Sequence, residues 1–307
     1  MNMRTMARVL LSAVALNVAS FATAGAQTNY YGESLDTVVT LDRSATVDLS
    51  LLSGRVTVTG SGGSQARVHA FTDRGDLQFD AEPGRIRLQV DPSRGGRGNA
   101  TFEVSVPAGT RVIVNSISAP VSVRGAKGEV DINAVSGSVI VEDASRKVKA
   151  ASVSGNVQVS QVTGDVRASS VSGQVDVSGV NGDLETETVS GRIMMNSANS
   201  RYVRAGTVSG RITYSGTFAP DGTYEFKSHS GSVRLVLPEN VGAQLRIETF
   251  SGSVDSDFPV TLQPSPDGRG AGQKMEFKIG NGRSRIVAES FSGSIKLERG
   301  DGRDSRD

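Results

Sequence analysis

Apolar and polar residues alternate along this chain in short runs, and the runs return at a fixed interval. Val135-Ser136-Gly137-Ser138-Val139 is followed by Val153-Ser154-Gly155-Asn156-Val157, then by Val171-Ser172-Gly173-Gln174-Val175 and Val189-Ser190-Gly191-Arg192-Ile193, each 18 positions after the last. Alternation with period two places successive side chains on opposite faces, which is the pattern of a strand, and the β-branched content agrees. A second glycine falls half a period later, at Gly128, Gly164 and Gly182, so each repeat is two strands joined by bends. A period near 20 residues built in this way predicts a chain that coils on itself, with equivalent residues stacked about 4.8 Å apart. The predicted fold is therefore all-β, a parallel β-solenoid (β-helix) of about 18 to 21 residues per coil.

Three inward columns follow from the register: Val139, Val157, Val175 and Ile193; Val141, Val159, Val177 and Met195; Val130, Val148, Val166 and Leu184. One coil buries too little apolar surface to offset the entropy of ordering its backbone, so only the stack is predicted to fold. The glycine of each Ser-Gly pair is predicted to be structural, because φ is positive there or a Cβ would collide with the next coil. These repeat glycines are Gly54, Gly137, Gly155, Gly173, Gly191, Gly210, Gly231, Gly252 and Gly293. Spacing loosens to 19 and 21 residues after Gly191, and the solenoid is read as beginning near Val38. The expected organisation is a signal peptide over 1–26, an N-terminal β region with the first coils over 27–110, solenoid repeats over 111–298 and a disordered charged tail over 299–307. The Pro- and Gly-rich stretch 263–272 reads as a loop between the coil at Gly252 and a last coil at Gly293.

Residues 1–26 join a basic start, Arg4 and Arg8, to an apolar run and the small residues Ala24-Gly25-Ala26, the pattern of an export signal. The apolar run is too short to span a bilayer, and without cysteine there is no lipoprotein anchor. Export places the chain in the periplasm, on the cell surface or outside the cell. Without the two signal arginines, 31 basic residues face 32 acidic ones. The outward column Asp131, Lys149, Arg167, Glu185 mixes signs. A nucleic-acid partner needs a concentrated basic face, and aromatic content of 5% with no tryptophan argues against base stacking.

The chain resembles the bacterial candidate-adhesin family of domains of unknown function (DUF4097 type). Three stretches carry the resemblance: Val104-Ser105-Val106-Pro107-Ala108-Gly109 leading into Val112-Ile113-Val114; the Ser-Gly coils from Ser136 to Gly231; and Leu237-Pro238-Glu239-Asn240 followed by Thr249-Phe250-Ser251-Gly252, Ile279-Gly280-Asn281-Gly282 and Ser292-Gly293. The resemblance implies a secreted or envelope-attached β-solenoid and an adhesive role, with some relatives linked to envelope stress. It supplies no catalytic residues.

Candidate chemistry is sparse. His229 stands at the phase of Val171, Val189 and Phe250 and reads as a packed residue near a bend; His69, in an alternating strand, reads as solvent-facing or at an edge. Two histidines and no cysteine argue against a transition-metal site, and each bend offers one carboxylate at most, too few for stacked calcium. The run Arg94-Gly95-Gly96-Arg97-Gly98 lacks the ending and helix of a phosphate loop. The acidic group Asp165, Asp183, Glu185 and Glu187 is the strongest candidate: the one-coil spacing of Asp165 and Asp183 suits a retaining glycosidase pair, but a smooth solenoid face is wet, and the group reads as a solvated charge column partly compensated by Arg167. No cofactor or metal is expected. The sequence therefore points to a non-enzymatic binding or scaffold protein with envelope polysaccharide or protein as partner. The alternatives are a carbohydrate-active β-helix enzyme and an envelope-stress module that binds a membrane-anchored partner.

Overall fold

A computed structural model describes residues 32–42, 44–91, 98–259 and 273–300. The export signal, most of the Gly-rich run at 94–98, the loop 263–272 and residues 301–307 lie outside the described residues. The chain from Tyr31 onward forms one unit, a β-solenoid of two facing sheets with 13 strands each among the described residues.

In the middle of the stack each coil lays one strand in each sheet. Strands β10 (Val130–Ala134), β12 (Val148–Ser152), β14 (Val166–Ser170) and β16 (Leu184–Thr188) pair in parallel in sheet B, and β11 (Val139–Ala144), β13 (Val157–Thr163), β15 (Val175–Asn181) and β17 (Ile193–Ala198) do so in sheet A. Partners are 18 residues apart, as Val148 with Val166 and Val157 with Val175, so the inward columns read from the sequence are the observed ones. Their members are buried. Toward the C-terminal end the coils lengthen and the core widens to match. Tyr214, Tyr224 and Phe226 are completely enclosed there, and with Phe218 they form tilted and edge-on ring pairs 4.7–6.0 Å apart. Both phenols are satisfied: Tyr214 donates to the Thr217 carbonyl at 2.9 Å and Tyr224 to that of Ser200 at 2.7 Å. Burial holds the Tyr214 hydroxyl far above its ordinary pKa.

Two devices close each coil. At the bend from sheet B to sheet A, the last residue of the sheet B strand points inward and in most coils carries a buried hydroxyl, Leu51 and Ala134 being the exceptions. Ser170 accepts from the Gly173 amide at 2.9 Å and donates to the Gly155 carbonyl of the preceding coil at 3.0 Å; Ser152 repeats both bonds one coil earlier, and Thr188, Thr207 and Ser228 each accept from the glycine three residues on. The hydroxyl ties a bend to its neighbour and is itself satisfied, as burial requires. The glycine has a different role. A Cβ on Gly173 would run into the Gly155 carbonyl oxygen, and the same conflict recurs along the row. Near the end of the sheet A strand the backbone turns through one left-handed residue per coil, Gly125, Asp143, Gln161, Gly179 and Ser197, with φ between 51° and 68°.

The ends depart from sequence order. The last coil, β25 (Ser284–Ser290) and β26 (Ile295–Gly300), is inserted between the coil of β20 (Thr223–Ser228) and β21 (Val233–Pro238) and that of β22 (Ala243–Thr249) and β23 (Val254–Ser256). The coil at Gly293 therefore precedes the one at Gly252 in space, not the reverse. The N-terminal end mirrors this. Strands β2 (Thr46–Leu51) and β3 (Gly54–Ser61) lie between β6 (Arg85–Asp91) with β7 (Ala100–Pro107) on one side and β8 (Arg111–Ser116) with β9 (Val121–Arg124) on the other. Antiparallel strands cover the ends: β1 (Glu33–Thr40), β4 (Gln65–Thr72) and β5 (Asp76–Glu82) at one, β24 (Gln273–Ile279) at the other. Val38 thus lies on an antiparallel edge strand, and the parallel coils begin at Thr46.

Candidate functional site: an apolar ridge beside a trough

The residue after the last inward residue of each sheet B strand, a buried hydroxyl in most coils and Leu51 or Ala134 in two, sits on the outside of the bend. Reading along the stack these are Leu52, Ile117, Val135, Val153, Val171, Val189, Val208, His229, Phe291 and Phe250. Each carbonyl accepts the amide of the serine one coil further on, from Ser118 N–H to Leu52 O through to Ser251 N–H to Phe291 O. That unbroken ladder fixes a single row ten coils long. The aliphatic and phenyl members from Ile117 onward are 43–52% exposed. At the C-terminal end the rings of His229, Phe291 and Phe250 stack nearly parallel, with centroids 4.9 and 4.8 Å apart. His229 is therefore an exposed member of a surface ridge rather than a packed residue. Counting outward from Val157 places Val153 on the inward parity, whereas counting from Val148 places it outward; the bend changes the parity, and the second count is the true one.

Beside the ridge, the last outward position of the sheet B strands forms the floor of a trough. In register the floor runs Ser50, Asn115, Asn133, Ala151, Ser169, Glu187, Gly206, Lys227, Glu289, Glu248. Small floor residues against a tall ridge leave two hollows of about 1040 and 700 Å³, which share Ser152, Ser169 and Val171 and so form one channel. The two halves differ chemically. Among the described residues no charged side chain lines the smaller hollow, while Glu187, Lys227, Glu248, Lys274 and Glu289 line the larger one. Lys227 pairs with Glu289 at 3.2 Å, and Glu248 takes Arg246 at 2.7 Å and Lys274 at 3.6 Å. Among the described residues Glu187 has no such partner. Next to it Gly206 leaves open space, since a Cβ there would meet nothing.

The acidic group picked out in the sequence is not one site. Asp165 and Asp183 lie at the opposite bend, both exposed, where Asp165 Oδ1 accepts the Asp183 amide at 3.2 Å. Glu185 is in the middle column of sheet B and binds Arg167 at 2.7 Å, while Glu187 faces the trough. In the same middle column Lys149 pairs with Asp131 at 3.5 Å. His69 is exposed on β4, with Nδ1 3.9 Å from Asp36. No group of three or more metal-ligating side chains gathers among the described residues, nor does any helix long and apolar enough to cross a membrane.

A parallel solenoid with a continuous channel along one bend is the architecture these residues define. The family profile described as Toastrack DUF4097 matches residues 55–298, and the chain belongs to this family. Among solved structures, a candidate lipid-binding protein from Parabacteroides distasonis aligns at 12% identity over 89% of this chain and 98% of its own, with a TM-score of 0.47. A candidate adhesin from Bacteroides fragilis aligns at 13% identity over 86% and 97%, with a TM-score of 0.45. No curated protein sequence matches the chain.

Proposed function

We propose that the protein is an exported, non-enzymatic, adhesin-like binding scaffold of the cell envelope, and that the ridge and trough of sheet B are its binding face. One observation carries this reading: a half-exposed corner holds an apolar residue or a planar ring in ten coils, although the fold needs no apolar side chain there. A contiguous apolar row on a monomer's surface is a feature of interaction sites. Regular spacing would let a long partner make many weak contacts at once. Asp165 and Asp183 stand on adjacent coils but both are exposed, which supports binding rather than glycosidic cleavage, since cleavage needs one of two converging carboxyls in a partly dry cleft.

The test compares the native chain with a V153D/V171D/V189D variant on a glycan array and in pull-downs from envelope extracts. Retention by the native chain and its loss in the variant is the expected result. Blank arrays and pull-downs with the native chain at high concentration would overturn the reading. His229 already places a polar ring in this row, so the variant is expected to fold, which circular dichroism checks.

A further inference from the structure

The trough is graded along its length, and the grading specifies a ligand. From Ser50 to Ser169 the floor is neutral, and the wall beside it is Leu52, Ile117, Val135, Val153 and Val171. Five coil steps separate the Ser50 and Glu187 rungs, roughly 24 Å at about 4.8 Å per step. A fatty chain reaches about 15 Å, half of a bilayer's ~30 Å hydrocarbon core, so this uncharged stretch holds one lengthwise. At its end stands Glu187, facing the channel beside the gap at Gly206. Beyond it the charges cancel: Lys227 is matched by Glu289, and Arg246 and Lys274 together by Glu248 and Glu276.

We infer that the trough binds a single-chain amphiphile with a cationic amine head, the chain along the neutral half and the ammonium group on the Glu187 carboxylate. This rests on the reading of the trough as the binding face and names what it takes. Charge complementarity selects the head, because an anionic head would meet Glu187, the channel carboxylate that has no ion-pair partner among the described residues. The ridge selects the chain, since its exposed methyl groups lose water only against another apolar surface.

Titration calorimetry of the full chain with dodecylammonium, dodecyl sulfate and a neutral dodecyl maltoside, each below its micelle concentration, tests the assignment. Dodecylammonium is expected to bind saturably, one per chain, at least fivefold more tightly than dodecyl sulfate. Octylammonium should be more than tenfold weaker than dodecylammonium, because each methylene removed forfeits burial. Glu187→Gln should weaken dodecylammonium about threefold to fivefold, the scale of one partly exposed ion pair, and leave the maltoside unchanged. Val171→Asp should weaken the neutral ligand more than tenfold. Equal binding of sulfate and ammonium, or indifference to Glu187→Gln, overturns the cationic head. Absence of saturable binding by any of the three overturns the amphiphile, while loss of envelope capture in the triple aspartate variant would still stand for the broader function. A native dimer by light scattering that Val171→Asp dissociates, with no amphiphile bound, gives the trough to a second copy and also overturns the inference.

Discussion

The middle of this molecule and its two ends obey different rules. Between β10 and β17 chain order and spatial order coincide, each coil touches only the coils before and after it, and 18 residues separate every partner. At the ends the order is exchanged. The first parallel coil and the last are both held between two others, and the outermost positions go to β1, β5, β23 and β24. A simple solenoid would leave its terminal coil with one covered face, and its open strand edges would invite pairing with other chains. Here antiparallel strands cover three of the four sheet edges, and the fourth, β23, is only three residues long. Repetition builds the length of the stack, and exchange of order finishes it.

Removing whole elements probes that contrast most strongly. Ending the chain at residue 283 would trim only the last coil of a simple solenoid. In this protein it removes the rung between β20–β21 and β22–β23, leaving the latter without its parallel partner. Collapse of the C-terminal end is expected, read as a large loss of protected amides in hydrogen exchange. Deleting 151–168, a complete coil from the middle, should lower the thermal midpoint far less, because Asn133 and Ser169 then become neighbours in unbroken register. Removing only 157–166 breaks the register and should unfold the chain. Comparable midpoints for the two internal deletions would refute register control of stability.

Substitution of Gly173 by Ala asks the same question at one atom. The new Cβ would strike the Gly155 carbonyl, and neighbouring coils on both sides prevent the rung from moving aside. A loss of about 3 kcal/mol is expected from denaturant titration, at the upper end of overpacking costs. A loss below about 1 kcal/mol, the ordinary effect of a surface change, would show that the rungs separate easily.

Legibility followed the same division. The middle coils were readable because inward positions keep one parity and one period, so Val148 predicts Val166 and Leu184 without any structure. The exchanged ends were not, since coil order depends on which edge the returning strands reach, and Ser292-Gly293 looks like any other Ser-Gly pair. The ridge was visible as letters but not as surface, because Val153 follows one strand's parity and precedes the other's. The hydroxyls of Ser152 and Ser170 passed as ordinary repeat residues, though their place three residues before each glycine was the available signal. Glu187 was singled out in the wrong company: three of the four acidic residues grouped by sequence face other columns, and its neighbour in the channel is Gly206.

The left-handed row near the end of the sheet A strands was the least readable feature, and it supplies the smallest test. Gly125 and Gly179 occupy it at no steric cost, but Asp143, Gln161 and Ser197 hold the same backbone at φ of 52°, 56° and 51°. A residue with a Cβ in this conformation is roughly 1–2 kcal/mol worse than in its preferred regions, whereas glycine in an unfolded chain gains freedom that folding must remove, offsetting about 0.4–1 kcal/mol of the relief. Gln161 makes no bond through its side chain among those described, and it is exposed, so Gln161→Gly removes strain and little else. The expected result is a gain of about 0.5 to 1 kcal/mol in denaturant titration, with no change in circular dichroism. The same change at Gln158, whose backbone has no positive φ and which is paired on both sides within β13, with Ile140 and Asp176, should instead cost about 0.5–1 kcal/mol. If both substitutions destabilise alike, the row is relaxed rather than strained, and each middle coil takes its turn from stacking on its neighbours and not from the residue at the bend.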